Sequence, residues 1–94
     1  MRITLRGRRY RLEEVARLPG DRFGDCTSPL LPHRLIRVRR SLKGQRRLEV
    51  ILHEALHACL WDLDEEAIEE TAHDLARLLW RLGYGVHKDD TGTD

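Results

Sequence analysis

Near Arg46 the hydrophobic period of this chain changes, and that change sets its fold class. Upstream, apolar and polar residues alternate at residues 2–6 (RITLR), 9–12 (RYRL) and 34–39 (RLIRVR), the period of two that a half-buried strand requires. Downstream, Leu48, Ile51, Leu52, Ala55, Leu56 and Cys59 recur at helical spacing, and so do Ile68, Ala72, Leu75, Leu79 and Leu82. Strands followed by helices specify an α+β domain: a small antiparallel sheet from the N-terminal half packed on a C-terminal helical hairpin.

The first two alternating segments flank Gly7 and are expected to pair as a hairpin, with Ile3 and Leu5 on one face. Residues 12–18 (LEEVARL) are expected to form a short helix closed by Pro19-Gly20. Residues 19–33 hold Gly20, Gly24, Pro29 and Pro32, so they read as loop with one short strand around residues 21–26. In RLIRVR, Leu35 competes with Ile36 and Val38 for the inner face. The first long helix is expected to run from about Arg46 to about Trp61. The second follows a break at Asp62-Leu63-Asp64, where either aspartate is a good N-cap. Glu65, Glu66, Glu69 and Glu70 then suit the positive end of its dipole. With 94 residues there is room for one domain, residues 1–86, and residues 87–94 read as a flexible polar tail with nothing to bury.

No apolar run is long enough to cross a bilayer, and the arginine-interrupted N-terminus lacks the apolar stretch of a signal peptide, so a cytoplasmic protein is expected. The two cysteines, Cys26 and Cys59, form no CxxC pair and are expected to be reduced. Charge is unevenly distributed: residues 1–47 carry 14 Lys and Arg against 4 Asp and Glu, whereas residues 48–94 carry 3 against 12. The favoured reading is that the two halves attract each other within the fold. The alternative is a nucleic-acid surface on the basic half.

The chemistry lies in His53-Glu54-Ala55-Leu56-His57, inside the first long helix. Residues four apart sit about 40° apart around a helix, one turn above the other, so both imidazoles reach one ion. Glu54 projects about 100° from His53, placed to take a proton from a metal-bound water. A catalytic zinc normally takes three protein ligands and leaves a position open. The third is expected from the second helix, where Glu69 borders the apolar stripe and Glu65 borders it one turn earlier. Glu66 and Glu70 face the other way. His73 is read as a surface residue or a partner that orients a ligand. Trp61 and Trp80 suit a core rim and Cys59 the core. Tyr10 and Tyr84 are potential oxyanion donors that nothing in the sequence positions.

HEALH followed by Glu69, Ala72, His73, Ala76 and Leu79 resembles the gluzincin-type pattern of compact metallopeptidases, and ImmA/IrrE-like proteins in particular. Residues 36–83 also resemble small phage and bacterial HExxH proteins. The resemblance implies zinc held by His53, His57 and Glu69, Glu54 as general base, and hydrolysis of a protein or peptide substrate. It also implies a strand beside the site to hold extended peptide, with RLIRVR as the candidate. A domain this small is expected to draw specificity from a partner or a larger protein. A non-catalytic zinc module is the rival within the same motif, and it would need a fourth protein ligand such as His73 or Asp64.

Overall fold

The computed structural model describes residues 1–85; the expected tail at residues 87–94 lies outside them. Four strands and two helices follow one another as β1 (Arg2–Leu5), β2 (Arg8–Val15), β3 (Gly24–Cys26), β4 (Leu35–Arg39), α1 (Gly44–Cys59) and α2 (Glu65–Arg81). The expected α+β architecture is present, with a sheet from the N-terminal half against two C-terminal helices. The sheet order is β1-β2-β4-β3. Its outer pairings, β1 with β2 and β3 with β4, are antiparallel, while the central pair β2 and β4 is parallel.

The first hairpin turns at Arg6 and Gly7, whose φ values of 49° and 76° are the left-handed pair that suits a two-residue turn between twisted strands. Glycine adopts this at no steric cost. Arg6 is held there by donating to the Cys59 carbonyl at 2.8 Å, which also satisfies an end group of α1.

Residues 12–18 do not form the expected helix. Leu12 to Val15 continue β2, paired in register with Ile36 to Arg39 of β4. The spacing of Leu12, Val15 and Leu18 suits a helix locally, but the β4 ladder satisfies the backbone and outweighs that preference. Glu13 and Glu14 then fall on opposite faces, meeting Arg11 and Arg47. In β4 the competition resolves in favour of Ile36 and Val38, at 1% and 0% exposure.

The layers are sheet, α1, α2. Tyr10, Ile36, Val38, Leu42, Val50 and Ala58 form the core between sheet and α1. The expected α1 stripe is only half-buried; the fully buried row is Val50, Glu54 and Ala58, one turn apart. A helix in a middle layer is covered on two sides, so its apolar surface extends beyond a single stripe. On α2, Ile68, Ala72 and Ala76 are buried, Leu75 and Leu79 half-buried, and Leu82 is exposed. Trp80 is half-buried near Gly44. No helix among the described residues is long and apolar enough to cross a membrane.

Candidate metal centre

The reversal between the helices brings the site together. Asp64 caps α2, its carboxylate accepting from the Ala67 N–H at 2.7 Å, so the helix begins at Glu65. From there Glu65 reaches back over the last turns of α1. Its Oε1 lies 2.8 Å from His53 Nε2 and its Oε2 lies 3.0 Å from His57 Nε2. The two Nε2 atoms are 3.2 Å apart.

This donor set fits a small divalent ion. Tetrahedral bonds of about 2.0–2.1 Å place ligand atoms about 3.3 Å from one another, close to the separations found. Two imidazoles and one carboxylate together make a set that could hold a metal ion. Among the described residues the group able to hold a metal ion is His53, His57 and Glu65.

Glu69, expected as the third ligand, is not part of this cluster. It lies one turn further along α2 and lines an adjoining cavity of about 320 Å³ with His53, Glu54 and Gly24. His73 meets Glu49 Oε1 through its Nδ1 at 3.2 Å, bridging the two helices, and Asp64 is committed to its cap. Neither closes the metal cluster. Trp61 is partly exposed, with its ring 6.4 Å from that of His57. Tyr84 is exposed and Tyr10 is buried in the core, its hydroxyl without a partner among the described residues.

Glu54 faces away from the histidines' outer flank and towards β3. A Cβ on Gly24 would stand 3.1 Å from Glu54 Oε2 and 2.8 Å from Val50 Cγ1, so glycine is what allows the strand this close to the helix. Burial is the main cause that pushes the Glu54 carboxyl up to about 7; the charges of Asp25 and Glu65 add to it, and Arg22 opposes it. A carboxyl in that range can take up and release a proton near neutrality.

Gly24, Asp25 and Arg22 lie in no motif that marks them for the site in the sequence. A signal was present in the spacing of Val50, Glu54 and Ala58, which marks Glu54 as lying on a packed face. Asp25 is held by Arg37 through two hydrogen bonds of 2.9 and 2.5 Å. The strand beside the site is β3. RLIRVR, expected to receive a peptide, is instead β4, which is paired on both edges and has no free backbone groups to offer. Both cysteines are free thiols, as expected.

No protein-family model, no curated protein and no solved structure matches this chain.

Proposed function

We propose that this protein is a zinc-dependent hydrolase of peptide bonds, with His53, His57 and Glu65 holding the ion and Glu54 acting as general base. The observation that carries the reading is the convergence of both HEALH imidazoles and one carboxylate of the next helix within 2.8–3.2 Å. It keeps the class of activity that the resemblance implies and exchanges its third ligand, Glu69, for Glu65.

A bound zinc ion would supply Lewis acidity to a carbonyl and lower the pKa of a coordinated water towards about 7. Glu54 takes the proton from the attacking water as its oxygen bonds to the carbonyl carbon. It then returns that proton to the departing amine nitrogen as the C–N bond breaks. Its raised carboxyl range suits both halves of this transfer.

Strand β3 offers the substrate a backbone template. Phe23 and Thr27 bond towards β4, through Arg39 N–H to the Phe23 carbonyl and Thr27 N–H to the Leu35 carbonyl. Alternation therefore turns the backbone groups of Gly24 and Cys26 to the outer edge. An extended peptide added there would run past Glu54. Three protein donors rather than four among the described residues support an open, catalytic site over a structural one.

The test uses zinc-loaded protein and a pool of fluorogenic peptides. The wild type should hold about one zinc per chain and cleave part of the pool. Glu54→Gln should keep its zinc and lose turnover by a factor of about 100 or more. Zinc retained in both, with no cleavage by either, would overturn the catalytic reading; no zinc in the wild type would overturn the site.

A further inference from the structure

The outer face of the sheet, on the side away from α1, carries a concentration of positive charge that the metal centre does not use. Tyr10 and Leu12 of β2 point into the core, so Arg9 and Arg11, which alternate with them, point outward. The register sets Arg2 of β1 opposite Arg11, and sets Leu35, Arg37 and Arg39 of β4 opposite Arg11, Glu13 and Val15. A groove of about 610 Å³ runs among Arg2, Arg9, Arg11, His33 and Arg34. Arg34 is fixed in it by donating to the Arg9 and Leu31 carbonyls at 3.0 and 3.4 Å.

Internal neutralisation does not explain this charge. Asp25 is engaged by Arg37, and Glu13, which also lines the groove, lies 3.4 Å from an Arg11 side chain that stays 69% exposed. Arg2, Arg9 and Arg34 have no carboxylate partner among the described residues. No ion pair among the described residues joins residues 1–47 to residues 48–85. The expected attraction between the two halves is therefore not made as contacts: the acidic surface lies on α2, with α1 between it and the sheet.

What would cover this face must be anionic, and must bind without apolar anchoring. None of the exposed large apolar side chains lies on β1, β2 or β4. These strands thus offer no exposed apolar side chain to insert into a lipid layer and no exposed aromatic platform on which to stack unpaired bases. We propose that the outer sheet face binds the phosphodiester backbone of a nucleic-acid duplex, through Arg2, Arg9, Arg11 and Arg34. Such contacts fix position on the duplex and carry little sequence information. The proposal is independent of the metal centre, which lies on the other side of α1.

The test is fluorescence anisotropy of labelled random-sequence DNA and RNA duplexes, with the single strands and anionic vesicles as comparisons. About four phosphate contacts predict that the affinity falls on the order of 100-fold between about 50 and about 200 mM salt. Arg9→Glu with Arg11→Glu should abolish binding, and the milder Arg9→Gln with Arg11→Gln should lower the salt slope by about two. Arg77→Glu with Arg81→Glu, which alters net charge equally on α2, should bind as the wild type does. His53→Ala should also bind normally, which separates this face from the metal site. Equal loss in both charge-reversed pairs, tighter binding to single strands or vesicles, or no duplex binding at low salt would overturn the proposal.

Discussion

His73 Nδ1 lies 3.2 Å from Glu49 Oε1, and this contact marks the register of the two antiparallel helices. Each turn forward on α2 is a turn back on α1. With His73 level with Glu49, Glu69 is level with His53 and Glu65 with His57. Glu65, at the first turn of α2, spans the two imidazoles, one oxygen to each. Glu69 is left beside His53 in the adjoining cavity.

Removing the two glutamates singly should therefore have unequal effects. Glu65→Ala should weaken zinc binding by about 100-fold or more, since it deletes a ligand, and Glu69→Ala by about tenfold or less. Competition titration with a chromophoric chelator measures both. A larger loss from Glu69→Ala would restore Glu69 as the third ligand.

The approach of β3 to α1 rests on Gly24. Alanine there would bring its Cβ to 2.8 Å from Val50 Cγ1, and valine is stiff at χ1. Gly24→Ala should destabilise the fold by about 1–3 kcal/mol, read by urea denaturation. The cost should shrink in a Val50→Ala background, where the clashing methyl is gone. An undiminished cost would place the strain elsewhere.

The motif and the helix that carries it were legible because both imidazoles and the apolar residues around them lie within one local period. So was the break at Asp62–Asp64, where either aspartate suited the cap and Asp64 takes it. Which glutamate of α2 reaches the two imidazoles was not, because Glu65 and Glu69 share one helix face and only the interhelical register separates them. Residues 12–18 read as helix for a related reason: the strand partner that decides their conformation lies more than twenty residues away, in β4. The burial of Glu54 depends on β3, a three-residue strand whose place at the sheet edge follows from topology rather than from local pattern.

Cys26 should be chemically quiet. Burial first, and then the charges of Glu54, Asp25 and Cys59, push its thiol from 9.0 up to about 12. At about pH 8 its thiolate population should be roughly 1,000-fold below that of an unperturbed thiol. Alkylation mapped by mass spectrometry should show Cys26 protected in the native protein and labelled rapidly after unfolding. Its native rate should keep rising about tenfold per pH unit past the point where an ordinary thiol levels off. Equal labelling before and after unfolding would contradict the buried environment.

Glu54 should make the metal-free protein less stable as pH rises. Its folded carboxyl, at about 7, lies above the ordinary value of 4.5, because burial and the neighbouring Asp25 and Glu65 charges disfavour ionisation. The folded state then binds more protons than the unfolded state between those two values. The stabilising contribution is complete below 4.5, declines through the interval and is gone above about 7. A separation of this size corresponds to about 3 kcal/mol. Glu54→Gln cannot ionise, so it should equal the wild type near about pH 4 and exceed it by up to about 3 kcal/mol near about pH 8. Urea denaturation at several pH values measures the difference. Zinc should flatten the wild-type slope, since a nearby dication favours the ionised carboxylate. A Glu54→Gln variant that keeps the wild-type slope without metal would assign the pH dependence to another group, and would remove the proton-holding role given to Glu54.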